Sequence, residues 1–200
     1  MITHAVGLSL GATSSIESGI AIQEIATGKL IYLDKFFSMN DISFFFETYP
    51  SLKNSIICIS LPWDNTMLEG KWRVLSKSYQ LINTLGNFPN TDNWMQRFST
   101  RGSELFNTLR ENGVNIFRYE VYLTRQKFNL YSNLKERSSG DCKFLQNALK
   151  YEFGFEELPS NMMPVAQLEA IVGTLLATEK LKNNTKTIFS FKNHEVINLV

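Results

Sequence analysis

The sequence has few of the residues that staple small extracellular domains or hold metals. Its 200 residues include only two cysteines and two histidines. Cys58 lies in an apolar run and Cys142 in a helical pattern, which favours structural thiols in a reducing compartment over a disulfide framework. His4 and His194 are far apart and have no companion ligands for a zinc-site pattern. Neither a disulfide scaffold nor a zinc domain is indicated.

Excess charge and long apolar runs are lacking too. Twenty basic and nineteen acidic residues leave a formal net charge of +1. The net charge therefore does not indicate that the protein binds nucleic acid or a membrane. No stretch reaches the roughly 18 apolar residues of a membrane span, and the start lacks the pattern of a signal peptide. We therefore expect no membrane association and a cytoplasmic location. The length, without an evident linker, predicts one domain over residues 1–200.

The apolar pattern predicts an α/β fold with a mixed sheet. Residues 4–10, 18–25 and 29–37 read as strands, and the short turns between them allow only antiparallel pairing. Residues 55–60 form a continuous apolar run, typical of a strand that is covered on both faces and reached by a helical crossover. An antiparallel three-strand meander is thus followed by strands that alternate with helices.

Further helices and strands are predicted from periodicity and capping residues. The predicted helices run from an Asn40 or Asp41 cap to Pro50, over 68–82, over about 103–112, from about Ser139 to before Gly154, and over 164–181. The further predicted strands cover 114–123, 186–191 and 195–200.

The turn after the first strand is rich in small residues. It includes Gly11, Thr13, Ser14 and Ser15. Backbone N–H groups in such a turn can approach a phosphate, so these four residues are phosphate-binding candidates. The same residue types populate ordinary tight turns, which remains the alternative.

Several short motifs, taken in order, resemble those of a known family. They are Gly7-Leu8-Ser9-Leu10-Gly11, Ser18-Gly19-Ile20-Ala21, Ile59-Ser60-Leu61-Pro62, the segment 101–113, Tyr119-Glu120-Val121-Tyr122 and Gln167-Leu168-Glu169-Ala170. Their order and spacing are similar to those of the family called domain of unknown function 429, described as ribonuclease H-like nucleases. The resemblance spans nearly the whole chain and implies a ribonuclease H-like mixed sheet.

The resemblance also implies an active site in which carboxylates from the first strand, the central strand and the last helix converge. Such carboxylates would hold two divalent metals, Mg²⁺ or Mn²⁺, that polarise a phosphodiester and activate water. The matching positions are Ser9, Ser60 and Glu169, so two of the three carboxylates are missing. A neutral hydroxyl is a poor ligand for Mg²⁺, and we expect a degenerate site with weakened metal binding.

Two other acids are possible substitutes for the missing carboxylates. Glu17 follows the first turn and Asp64 follows Pro62. Solvated loop carboxylates are the simpler interpretation of both.

Glu169 lies beside the apolar face of its predicted helix, with Val165 at i−4 and Val172 at i+3. A carboxylate there needs hydrogen-bond donors, or burial raises its pKa. If the family geometry holds, Ser9 and Ser60 supply donors. Glu169 is then either part of a structural polar cluster or a residual catalytic acid.

Residues 118–150 carry seven basic and three acidic side chains. The basic ones are Arg118, Arg125, Lys127, Lys135, Arg137, Lys143 and Lys150. With Phe128 and Tyr131 available to stack on bases, this region is a candidate nucleic-acid surface. A solvated protein surface is the alternative.

Two functions follow from these observations. We favour a ribonuclease H-like domain that has lost metal-dependent catalysis and acts as a binding or interaction module, because the missing carboxylates remove the charge that metal chemistry requires. The alternative is a metal-dependent hydrolase of nucleic acid or another phosphate ester. It would use Glu169 with Asp64 or Glu17, and Mg²⁺ or Mn²⁺ as cofactor.

Overall fold

The described residues form one mixed sheet of seven strands. The computed structural model describes residues 2–11, 16–61, 94–191 and 194–200. The strands are β1 (His4–Ser9), β2 (Ser18–Glu24), β3 (Leu30–Phe36), β4 (Ser55–Ile59), β5 (Asn115–Tyr119), β6 (Thr185–Phe191) and β7 (His194–Leu199). Their order across the sheet is β3-β2-β1-β4-β5-β7-β6.

The sheet is antiparallel at its two sides and parallel in its centre. β1, β2 and β3 form an antiparallel meander, as do β6 and β7 as a pair. β1, β4, β5 and β7 run parallel. The meander and the central position of β4, both predicted from the sequence, are confirmed.

Helices cover both faces of this sheet. They are α1 (Met39–Thr48), the short 3₁₀-helix η1 (Pro50–Asn54), α2 (Trp94–Glu111), α3 (Val121–Lys127), α4 (Ser139–Tyr151) and α5 (Val165–Leu181). One buried core joins α1 and α2 to one face of the sheet. Two further clusters join α3, α4 and α5 to the other face. Among the described helices, none is long and apolar enough to cross a membrane.

The ends of three elements differ from the sequence prediction. Helix α1 is capped by Ser38, whose hydroxyl accepts the N–H of Asn40 at 3.0 Å, while Asp41 completes the capping box. The predicted strand 114–123 ends at Tyr119, because Glu120 caps α3 by accepting the N–H of Leu123 at 2.7 Å. Helix α2 starts well before residue 103. The predicted helix over 68–82 lies outside the described residues.

Two strand glycines let α5 lie directly on the sheet. A Cβ atom on Gly7 of β1 would stand 1.8 Å from the carbonyl oxygen of Ala170, and one on Gly19 of β2 would stand 2.0 Å from that of Ala166. Any larger residue would force the helix away from the strands. These contacts fix the distance between β1 and α5, and therefore the place of Glu169.

Candidate functional site

The parallel strands β1, β4 and β5 have their carboxyl ends at the same end of the sheet, which we call this edge. Leu8 is in register with Ile59, and Ile59 with Arg118, so the next residues are Ser9, Ser60 and Tyr119. Leu8 and Ile59 belong to the core shared with α1 and α2. Since side chains alternate along a strand, Ser9 of β1 and Tyr119 of β5 face α5, on the side opposite to Leu8 and Arg118.

Glu169 of α5 lies over the ends of β1 and β5 and contacts Ser9 and Tyr119 there. The hydroxyl of Ser9 donates to Glu169 Oε2 at 2.9 Å, across 160 residues of sequence. The hydroxyl of Tyr119 donates to the backbone carbonyl of Glu169, also at 2.9 Å. All three residues are at most 1% exposed. The structure thus brings together Ser9 and Glu169, and adds Tyr119, which sequence reasoning did not single out.

Ser60 stands at the same edge and joins two strands there. Its hydroxyl oxygen accepts the N–H of Leu10 at 3.1 Å. Its own N–H donates to the carbonyl of Leu8 at 2.8 Å. Ser60 therefore helps to fix β1 beside β4, which holds Ser9 under the helix.

Arg137 binds the carboxylate of Glu169 with two nitrogen atoms. Nε donates to Oε1 at 3.1 Å and Nη2 to Oε2 at 2.5 Å. Such a two-point pair is both stronger and more directional than a single ionic contact. The Glu169 side chain is 1% exposed and that of Arg137 is 33% exposed, so the guanidinium covers the carboxylate from the solvent side. The sequence placed Arg137 only within a basic region.

A second acid holds the backbone of Arg137 in place. The backbone N–H of Arg137 donates to Asp141 Oδ2 at 3.0 Å, and the φ of Arg137, 57°, lies in the left-handed region. Asp141 also accepts two hydrogen bonds from Arg125, at 3.1 and 2.7 Å, and one from Ser132 at 2.7 Å. We call residues 128–138, between α3 and α4, the Arg137 loop. It is tied to the domain through Asp141 and carries Arg137 onto Glu169.

The charges in this cluster balance in pairs. Burial acts to lower the pKa of Arg137, but the Glu169 carboxylate outweighs it, so the pKa is raised and the guanidinium stays charged. Burial raises the pKa of Tyr119 well above its usual value, and the charge of Glu169 adds to the shift, so Tyr119 remains a neutral donor. In this cluster Arg137 pairs with Glu169, and Arg125 pairs with Asp141.

Other predicted site residues lie elsewhere or have other partners. Glu17 pairs with Lys35 of β3 at 3.3 Å. The N–H of Gly11 donates to the hydroxyl of Ser18 at 2.9 Å and is therefore not available to a phosphate. Thr13, Ser14, Ser15 and Asp64 lie outside the described residues.

Fewer basic side chains of the region 118–150 are exposed than the sequence suggested. Arg118 and Arg125 are 0% exposed. The guanidinium of Arg118 lies over the Phe106 ring, 4.6 Å from its centroid, and Arg125 pairs with Asp141. Phe128 packs edge-on against Phe153. The two buried arginines are not accessible to a phosphate, and Phe128 is partly buried. The exposed remainder consists of Arg137, Lys127, Lys135 and Lys143 with Tyr131.

The described residues at this edge do not by themselves fit a two-metal centre. Within the described part of the chain, no group of three or more His, Cys, Asp and Glu side chains is placed to hold a metal ion. Both oxygens of Glu169 accept hydrogen bonds from Arg137, whose positive charge repels another cation. A divalent metal normally needs several anionic oxygen ligands, and Glu169, the carboxylate that lies over Ser9 in the described structure, is already neutralised by Arg137.

No family model matches the sequence, and no curated protein matches it either. Among solved structures, RuvC of Thermus thermophilus in complex with a Holliday junction substrate is similar at a TM-score of 0.51 and 10% identity. A second structure of Thermus thermophilus RuvC has a TM-score of 0.52 and 9% identity. Each match covers 90% of this chain and 96% of RuvC. At such low identity the likeness shows the fold alone, and that fold is ribonuclease H-like.

Proposed function

We propose that the protein is a ribonuclease H-like domain that binds nucleic acid without metal-dependent cleavage. The observation that carries this proposal is the ion pair of Glu169 with Arg137, at the edge where the resemblance implies metal ligands. On the order of its motifs, we also propose membership of the family called domain of unknown function 429. We take residues 1–200 as one domain, and the two buried free cysteines support a cytoplasmic location.

The loss of catalysis follows from charge. Two-metal hydrolysis depends on several carboxylates that together offset the charge of the ions and hold them close to a phosphate. Here Ser9 is neutral and forms a hydrogen bond with Glu169, the remaining acid. Arg137 already supplies one positive charge to that acid, and a metal ion would have to displace it.

The choice of nucleic acid as partner rests on two supports. RuvC, which shares the fold, has been captured on a Holliday junction. In this chain, Lys127, Lys135 and Lys143 are exposed, and Tyr131 of the Arg137 loop is 37% exposed. Exposed lysines beside an aromatic ring suit a phosphate backbone and an unstacked base.

The test combines a binding assay with a cleavage assay on the same substrates. Labelled single strands, duplexes, four-way junctions and RNA–DNA hybrids are titrated with the full chain by fluorescence anisotropy at several salt concentrations. They are then incubated with Mg²⁺ or Mn²⁺ and resolved on a gel. We expect binding that weakens steeply with salt, and no metal-dependent cleavage above background.

A matched pair of charge reversals identifies the binding surface. K135E lies on the Arg137 loop, and K53E lies on η1, where Lys53 is equally exposed. We expect K135E to weaken binding several-fold and K53E to leave it unchanged. Equal effects of the two variants would reject this surface. Wild-type cleavage that E169Q abolishes would reject the loss of catalysis and establish the hydrolase.

A further inference from the structure

The Glu169 carboxylate and the Ser9 hydroxyl bound to it, which we call the pocket, belong to α5 and β1, two elements that do not include Arg137. Ser9 ends β1, Glu169 belongs to α5, and the two elements meet through the close contact of Gly7 with Ala170. A buried carboxylate is costly unless a cation or several donors offset its charge. The pocket is therefore more stable with a cation or with further donors beside Ser9, and in this chain Arg137 supplies both the charge and the donors.

Arg137 reaches this pocket from a separate piece of chain. It lies 32 residues before Glu169, on the Arg137 loop, and a third of its side chain faces solvent. Its backbone is left-handed, a conformation that disfavours residues with a side chain. Nothing in local propensity selects that conformation, whereas the bonds of Arg137 to Asp141 and Glu169 compensate for it.

We infer that this edge of the sheet is a cation site that the chain fills with its own guanidinium. Arg137 then acts as a tethered ligand that takes the electrostatic role of an external cation. This inference rests on the proposed function, because it explains how the site persists without metal. The fitting class of ligand is a planar cation with two parallel N–H donors, since both Glu169 oxygens are bound in that fork geometry.

Truncation of Arg137 opens the pocket for an external ligand. In R137A, the side chain beyond Cβ is removed, leaving space beside Glu169 that opens to solvent. Methylguanidinium carries the same fork as the missing side chain, so it can bind Glu169 and restore the ion pair. Because the ligand binds only the folded state, it raises the stability of the variant.

The experiment measures thermal unfolding of full-length wild type, R137A and K135A at increasing millimolar methylguanidinium chloride. NaCl at equal ionic strength and urea at equal concentration serve as solvent controls. We expect R137A to lose about 2–8 °C in Tm. Methylguanidinium should restore at least half of that loss in a saturable way. K135A, on the same loop, should show neither the loss nor the rescue.

Further variants keep the test decisive. In R137A E169Q the carboxylate is gone, so methylguanidinium should no longer raise Tm. R137K keeps a positive charge without the fork, and it should retain only part of the wild-type stability. If R137A does not fold alone, folding that returns with methylguanidinium and not with NaCl supports the inference equally.

Two outcomes overturn the inference. One is an R137A variant that folds and is not stabilised by methylguanidinium beyond the NaCl control. The other is equal rescue of R137A and R137A E169Q, because Glu169 would then have no part in binding. Cleavage and nucleic-acid binding are not measured here, so the inference fails or stands separately from the proposed function.

Discussion

Two arginine–carboxylate pairs lie close together in this domain, and they differ in how they are enclosed. Arg125 and Asp141 are 0% and 3% exposed, and the pair links α3 to α4. In the other pair, Glu169 is 1% exposed and Arg137 is 33% exposed. Both guanidinium groups contact both oxygens of their carboxylate. The first pair is sealed within the fold, whereas the second has its cation on the solvent side.

The other contacts of the two acids show the same difference. Asp141 also accepts bonds from Ser132 and from the N–H of Arg137, while Arg125 donates its Nε hydrogen to the carbonyl of Leu130 at 3.1 Å. This pair therefore organises the Arg137 loop. Glu169 accepts a side-chain bond from Ser9 of the sheet and two from Arg137 of that loop. The Arg125–Asp141 pair holds the Arg137 loop in place, and the Glu169–Arg137 pair is formed by a residue of that loop.

The largest expected effect is that of breaking the sealed pair. D141A leaves the guanidinium of Arg125 buried without its anion, and we expect a loss of about 3–5 kcal/mol in the free energy of unfolding. Urea denaturation at neutral pH measures it. E156A removes an exposed acid near the end of α4 and should change stability by less than about 0.5 kcal/mol. Equal, small effects of the two variants would show that Asp141 is not a structural anchor.

Acid should reduce the contribution of the same pair. Burial acts to raise the pKa of Asp141, but hydrogen bonds from Arg125 and Ser132 outweigh it and hold the pKa below the ordinary 3.8. A lowered folded-state pKa adds stability above the unfolded pKa, and that stability is lost as the pH falls through the folded value. We therefore expect the stability gap between wild type and D141N to be constant near neutrality and to narrow below pH 3.8. A gap that widens there would contradict the assignment.

The pair at the site should matter less, because its cation is partly solvated. E169Q replaces the carboxylate by a neutral amide beside Arg137, and we expect a loss of about 1–3 kcal/mol. A double-mutant cycle with R137Q measures how much of this belongs to the pair. An unchanged unfolding midpoint in E169Q would mean that the charge of Glu169 makes no net contribution to stability. A gain would mean that its charge is a net cost to the fold.

The smallest effect is expected for the serine. S9A removes one hydrogen bond to a carboxylate that keeps both bonds from Arg137, so we expect a loss of about 0.5–1.5 kcal/mol. Urea denaturation beside E169Q resolves the order of the two. A loss in S9A larger than that in E169Q would make Ser9, and not Arg137, the main partner of Glu169.

The fold was largely predictable from the sequence, because its signals are periodic or local. The apolar run of β1, the alternation in β2, the apolar run of β4 and the apolar face of α5 each identify one element. The end of β5 was not predictable in this way, since Glu120 reads as a polar position within a strand and in fact caps α3. Gly7 and Gly19 lie within predicted strands, and nothing in the strand pattern shows that they allow the close approach of α5 to the sheet.

The candidate site was predictable only in part. Ser9 and Glu169 were paired through the order of the motifs, which carries information on topology. Arg137 belongs to no motif and no periodic pattern, and its contact with Glu169 depends on a left-handed backbone and on Asp141. One arginine among several basic residues does not indicate in the sequence that its partner is Glu169.

We propose that the counter-ion of Glu169 is Arg137 and not a metal ion. Electron paramagnetic resonance of Mn²⁺, titrated at millimolar concentration into wild type and E169Q, distinguishes the two. We predict that both proteins leave the free Mn²⁺ signal equally unchanged. Stoichiometric loss of the free signal with wild type, and not with E169Q, would place a metal on Glu169 and contradict the account.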